Sequence, residues 1–290
     1  MPIEKSEKNN ASEAVGAATE AQFSGQKCPL LEFHFVTSEE KNQRFCWIFS
    51  TESSPFHRKL WWKITEVIIM AKVNSERRGC VDVFHSFLVH NAKYEGVPEM
   101  PVIFPTMEVP NRLIPFSKAV PVKDYDQWVH FYEDDAKFER IWKNPKKYLP
   151  LLSKFNGVIS PDFSLWVDMP QPQQIWNTYR NRALACWLQS QGVKVISNIR
   201  FSTPWSYSFC FNGAPKKSVV SVGTHGLMKG KRDRERFKQG LQAMVDAIEP
   251  IGIVVYGTDP DDVFQIYRTQ GIRIFPFPSD CSKSHKGGER

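Results

Sequence analysis

The 290-residue sequence lacks any apolar run approaching the roughly 18 residues that span a bilayer. Residues 60–70 come closest, and Lys63 and Glu66 interrupt them. That excludes a membrane-spanning helix of ordinary composition. Residues 1–26 hold almost no large apolar side chains, so they offer no secretory signal core. The same poverty predicts disorder, because such a segment cannot bury enough surface to offset its ordering entropy. Residues 279–290 read the same way. None of the six cysteines (Cys28, Cys46, Cys80, Cys186, Cys210, Cys281) forms a CxxC pair. Neither a disulfide framework nor zinc-ligand spacing is present, and the scatter predicts reduced, mostly buried thiols in a cytoplasmic setting.

Recognised catalytic text is missing too. There is no P-loop, HExxH, nucleophile elbow, dinucleotide fingerprint or paired catalytic cysteine and histidine. His85 and His90 stand five apart, which is no recognised metal spacing. Net charge is lacking in the first third: residues 1–95 carry 12 Lys+Arg against 12 Asp+Glu. The whole net charge of +7 therefore falls on the remainder, concentrated at 140–154 and 229–238. Such clusters suit a polyanion and equally suit a solvated, solubilising face.

What is present is a punctuated second half. Five short apolar runs, at 155–159, 193–196, 219–222, 251–255 and 272–275, each end in polar, glycine or proline residues. Helical patterns separate most of them. Residues 172–191 place Trp176, Tyr179, Ala183 and Trp187 on one face, and Gly192 closes the helix. Residues 233–248 repeat apolar side chains at helical spacing through Phe237, Leu241, Met244, Val245 and Ile248. Asp259-Pro260-Asp261-Asp262 supplies a helix start, with Asp259 as the expected N-cap.

Alternating strands and helices predict an α/β fold with a mostly parallel sheet and flanking helices, either open doubly wound or a half-barrel. The expected main domain is 96–278, preceded by a small α+β element at 27–95. Within that element, strands are expected at 33–36, 44–49 and 81–89, and residues 60–72 fit a helix or a long strand. Residues 96–125 are proline-rich and predict an irregular connection. Residues 124–142 predict a helix. The alternation of Phe201, Trp205, Tyr207, Phe209 and Phe211 fits a strand, or stacking surfaces for bases.

These residues carry a resemblance. Arg112-Leu113-Ile114-Pro115-Phe116, Phe155-Asn156-Gly157-Val158-Ile159-Ser160-Pro161-Asp162-Phe163-Ser164, Asp168-Met169-Pro170, Gln174-Ile175-Trp176-Asn177-Thr178-Tyr179-Arg180, Gly223-Thr224-His225-Gly226 and Tyr256-Gly257 resemble a family of bacterial and phage proteins, domain of unknown function 4417. The likeness covers roughly residues 96–278. It implies an association with phages and mobile elements, and it brings no established activity.

Ligands of parallel sheets collect at the carboxyl ends of the strands. Candidate residues are therefore those that follow the runs. Gly223, Thr224 and Gly226 would bring backbone N–H groups close to a ligand. His225 between them would exchange a proton near neutral pH or bind phosphate, or else serve a tight turn. Asp162 would bind a divalent cation, act as a base or hold an arginine; a turn carboxylate is the plain alternative. Asn177, Arg180 and Asn181 share a helix face, and Arg180 would fork onto a phosphate or pair with Asp162 or Asp168. Asn198, Arg200 and Tyr256 complete the set.

The leading expectation is a phosphate-bearing ligand, a nucleotide or nucleic acid, at the strand ends. One alternative is a metal-assisted hydrolase or phosphoryl-transfer enzyme using Asp162 and His225. Another is a non-catalytic partner of host machinery. A membrane partner is not expected.

Overall fold

The computed structural model describes residues 81–279 and two strands before them. The chain divides into two compact units, 1–64 and 65–290. In the first, β1 (Phe35–Thr37) and β2 (Arg44–Cys46) pair antiparallel, Phe35 opposite Cys46. The expected strands at 33–36 and 44–49 overlap this hairpin. The expected tail at 1–26, the expected element at 60–72 and residues 280–290 of the other expected tail lie outside the described residues, whereas Ser279 is buried.

The second unit is built on seven parallel strands in unbroken chain order. They are β5 (Leu113–Pro115), β6 (Trp128–His130), β7 (Gly157–Ile159), β8 (Val195–Asn198), β9 (Val219–Gly223), β10 (Gly252–Tyr256) and β11 (Arg273–Phe277). Each pairs in parallel with the next. Neighbouring strands joined by right-handed crossovers put every crossover helix on the same face. The sheet accordingly curls into a half-barrel flanked by helices. The helices are α1 (Phe116–Ala119), α2 (Asp135–Lys143), α3 (Pro145–Leu152), α4 (Gln171–Ser190), α5 (Tyr207–Cys210), α6 (Lys231–Ile248) and α7 (Asp261–Thr269). A small antiparallel pair, β3 (Tyr94–Glu95) and β4 (Met100–Pro101), lies at the N-terminal side.

Both faces of the central strands are buried, which is why they read as apolar runs rather than alternating ones. Val129, Val158, Val195, Val220, Val222, Ile253 and Val255 pack toward the helices. Trp128, Ile159, Ile196, Val219 and Val254 fill the inner face. Leu88, Val89, Ala92 and Tyr94 belong to the helix-side core as well.

Trp128 and Gly157 are register partners on β6 and β7, and the indole lies where a Cβ on residue 157 would stand. Gly157→Ala is expected to cost roughly 1–3 kcal/mol through overpacking. Urea unfolding measures it, and Trp128→Leu in the same chain recovers part of the loss if the indole is the obstacle.

Four expectations are corrected. Residues 81–89 form no strand but end in a 3-10 turn, Ser86–Val89. Residues 124–142 are not one helix: they hold β6 and then α2. The proline-rich stretch contains β4, β5 and α1, the prolines being tolerated at short strand ends. The aromatic alternation at 201–211 is a 3-10 turn, Pro204–Ser206, followed by α5, so its rings pack as turns of helix rather than as a strand. Phe201 and Phe211 pack in the helix-side core, with ring centroids 6.3 Å apart.

Candidate functional site

The carboxyl ends of β6 to β10 replace the apolar inner face with polar and aromatic groups. Alternation along each strand carries His130, Tyr132, Asn198, Ser221, Gly223 and Tyr256 to the inner side. Tyr132 and Tyr256 stack with centroids 4.7 Å apart, and His130 lies 4.5 Å from Tyr256. Gly223 leaves the room that the Tyr132 ring occupies.

A hydrogen-bond chain runs across these ends. Arg200 Nη1 donates to Asp162 Oδ2 at 2.6 Å, and Asn198 Nδ2 donates to Asp162 Oδ1 at 2.7 Å. Tyr132 donates to Asn198 Oδ1 at 2.9 Å, and its hydroxyl meets Ser221 Oγ at 2.6 Å. Ser221 Oγ donates to the Val254 carbonyl at 3.1 Å. Burial pushes the Asp162 carboxyl above the usual carboxylate range, opposed by the Arg200 guanidinium and the Asn198 amide. Burial and the nearby Asp162 charge push the Tyr132 phenol well above the ordinary tyrosine range.

Asp162 and Arg200 open onto a cleft of about 390 Å3. The loop after β7 supplies Trp166 and Asp168, β9 supplies Gly223, and α6 supplies Asp233 and Arg236. Trp166 is 60% exposed. Arg236 Nη1 donates to Asp233 Oδ1 at 3.0 Å. A second cavity, about 550 Å3, is lined by Pro204, Lys231, Arg232, Glu235, Arg236 and Gln239. Arg236 lines both.

The remaining expected residues lie elsewhere or serve as scaffold. Arg180 pairs with neither Asp162 nor Asp168. Its Nη1 forks onto Glu139 of α2 at 2.9 and 2.8 Å, its Nη2 donates to Asn177 Oδ1, and its guanidinium lies 3.9 Å from the Phe163 ring centre. Asn177 Nδ2 donates to the Ser164 carbonyl at 2.7 Å, which ties the β7 loop to α4. Asn181 holds Ser160 Oγ. Thr224 is buried and its hydroxyl donates to the Thr258 carbonyl at 2.7 Å, locking the β9 end to the β10 end. His225 and Gly226 are exposed on the following turn and do not line the cleft, with Gly226 at φ +79°. Asp259 is not the N-cap: that position is Pro260, and Asp259 pairs with Arg268 inside α7. Among the described residues, no group of three or more histidines, cysteines or carboxylates is placed to hold a metal ion.

Four participants were not singled out in the sequence: Tyr132, Trp166, Arg236 and Arg182. Among the described residues Arg182 is the largest fully buried side chain, two positions beyond Arg180. It donates to the carbonyls of Asn198, Cys210 and Asn212 and to Asn181 Oδ1. Burial lowers its guanidinium to about 10, which leaves it charged at neutral pH.

A parallel half-barrel with a mixed-charge cleft at its strand ends defines the class of protein. The chain belongs to the family described as Domain of unknown function (DUF4417), whose model matches residues 92–277. Its relatives include phage proteins. It is 37% identical over 129 residues to the Gene 1 protein of Mycobacterium phage L5, covering 44% of this chain and 56% of that one. It is 37% identical over the same length to the Gene 1 protein of Mycobacterium phage D29, covering 44% and 48%. The chain thus spans about half the length of the curated relatives it matches. No solved structure matches it significantly. Among the described residues, no helix is long and apolar enough to cross a membrane.

Proposed function

We propose that this phage-related protein binds a phosphate-bearing ligand of nucleotide type in the cleft at the ends of β7, β8 and β9. One observation carries the reading: the cleft sets an exposed indole, Trp166, beside two guanidinium groups, Arg200 and Arg236. An aromatic face stacks on a base, and a guanidinium forks onto phosphate. Asp162 already accepts from Arg200 and Asn198, so it orients Arg200 for the ligand.

Fluorescence polarisation with labelled mononucleotides, short DNA and short RNA tests the reading. Binding is expected to weaken as salt rises. Arg236→Ala is expected to lose roughly tenfold, the size of one charge-assisted contact, with the Asp233 carboxylate left unneutralised. Trp166→Ala is expected to weaken binding by a similar factor, since stacking contributes roughly 1–3 kcal/mol per base. No salt-sensitive binding to any probe sinks the proposal.

A further inference from the structure

The two cavities that meet at Arg236 differ in character. The first holds Trp166, Phe201 and Phe237, together with the carboxylates of Asp162, Asp168 and Asp233. Counting Arg200 and Arg236, its formal charge is negative by one. Arg200 and Arg236 suffice there for one phosphate but not for a run of them, and the rest of the cleft suits an uncharged ring bearing hydroxyl donors. Asp162 and Asp233 are each held by an arginine. Asp168 is exposed and has no ion pair among the described residues, so its oxygens remain open to hydroxyl groups.

The second cavity is the reverse. Lys231, Arg232 and Arg236 outweigh Glu235, and no aromatic ring lines it. Lys231 and Arg232 are exposed and have no ion pair among the described residues. Their neighbours differ: Arg234 and Lys238 are both taken up by Asp262 of α7. The available cations of α6 therefore face this cavity. They also open the first turn of an 18-residue helix whose Gly230 cap has no side chain to occupy its N–H groups.

Resting on the nucleotide reading above, we infer that the ligand is a nucleoside polyphosphate, with base and sugar in the Trp166 cavity and the terminal phosphates among Lys231, Arg232 and Arg236. A nucleic-acid strand repeats base and phosphate along its length, and its binding grooves offer successive stacking platforms along a continuous basic track. Here the aromatic and cationic halves are separated, one of each, which is the polarity of a single nucleotide with more than one phosphate. The carboxylate of Asp168 stands where ribose hydroxyls would be received.

Isothermal titration with adenosine and guanosine 5′-mono-, di- and triphosphates, beside oligothymidylates of increasing length, decides the matter. Affinity is expected to rise roughly tenfold with each added phosphate, the size of one charge-assisted hydrogen bond. Arg232→Ala and Lys231→Ala, both at exposed positions, are expected to flatten that series. Trp166→Ala is expected to weaken every nucleotide by the same factor and leave the phosphate dependence intact. Oligothymidylate affinity that grows with length, beside a flat phosphate series, overturns this inference and leaves the phosphate-ligand proposal standing. Mononucleotide binding with no phosphate dependence and no effect of Arg232→Ala also overturns it. Binding of neither class overturns both.

Discussion

Arg182→Ala is expected to be the most destabilising single change at the strand ends. Among the described residues the guanidinium has no ion pair, and it lies fully buried. It is held by the Cys210 carbonyl at 2.6 Å, the Asn212 carbonyl at 3.1 Å, the Asn198 carbonyl at 3.3 Å and Asn181 Oδ1 at 2.6 Å. The three carbonyls come from the ends of β8 and α5, so one side chain from α4 joins three elements. Alanine leaves a cavity and strands several buried acceptors, each costing about 1–3 kcal/mol. The sum is comparable to a whole domain's stability of about 5–15 kcal/mol. Denaturant unfolding should show little or no cooperative transition. Arg182→Lys should rescue little, because one ammonium cannot fork to acceptors spread around a plane. Arg182→Met should lose less than alanine, since it fills the volume and removes the cost of burying a charge. Wild-type stability in the methionine variant would mean that the carbonyls find other donors.

Arg182 also illustrates what could be read in advance. Asn177, Arg180, Asn181 and Arg182 sit within two turns of one helix, and the helix is buried on most of its circumference. No polar face exists to fix its phase, so residue spacing alone could not tell which arginine reaches the strand ends. Arg180 was expected there and instead clamps α2 through Glu139. Strand β6 was hidden for a related reason. Trp128, Val129, His130, Phe131 and Tyr132 are large on both faces, and such a run satisfies a helical stripe as readily as a strand. With β6 went Tyr132, which anchors the hydrogen-bond chain. Strand β5 was obscured by Pro110 and Pro115, which only an edge strand accommodates.

The legible parts were those where polarity changes abruptly. Strands β7 to β11 each follow a helix or turn and end in a polar, glycine or proline signal, and all five lie within a residue or two of the expected runs. Their order along the chain was also their order in the sheet. That is why Asp162, Asn198, Arg200 and Gly223 fall together. Trp166 and Arg236 were not legible, because nothing in the sequence marks one tryptophan as exposed or one arginine of a basic helix as the inward one.

Asp162→Asn should be tolerated, whereas Asp162→Ala should cost about 1–3 kcal/mol, the effect of leaving the buried Asn198 amide without its acceptor while the part-exposed Arg200 turns to solvent. The difference lies in the direction of the hydrogen-bond chain. In the protein as it stands, Asn198 donates to Asp162 and accepts from Tyr132. With asparagine at 162, its oxygen still accepts from Arg200, and its amide donates to an Asn198 turned end for end. Asn198 then donates to the Tyr132 oxygen, Tyr132 donates to Ser221, and Ser221 keeps its bond to the Val254 carbonyl. Every group stays paired. Alanine leaves Asn198 facing an empty acceptor site. The pH response separates the effects further. Burial raises the folded carboxyl above its unfolded value, so the unfolded chain releases this proton first. Stability from this group is therefore present below the unfolded value and falls as pH rises through the folded one. Asp162→Asn lacks that titration, and the wild-type advantage over it should grow as pH is lowered toward the carboxylate range. A shrinking advantage would mean that attraction to Arg200 outweighs burial. In binding, Asp162→Asn removes a negative charge beside Arg200 and should strengthen anion affinity. A carboxylate that activates water would show the opposite, with turnover lost and binding unchanged.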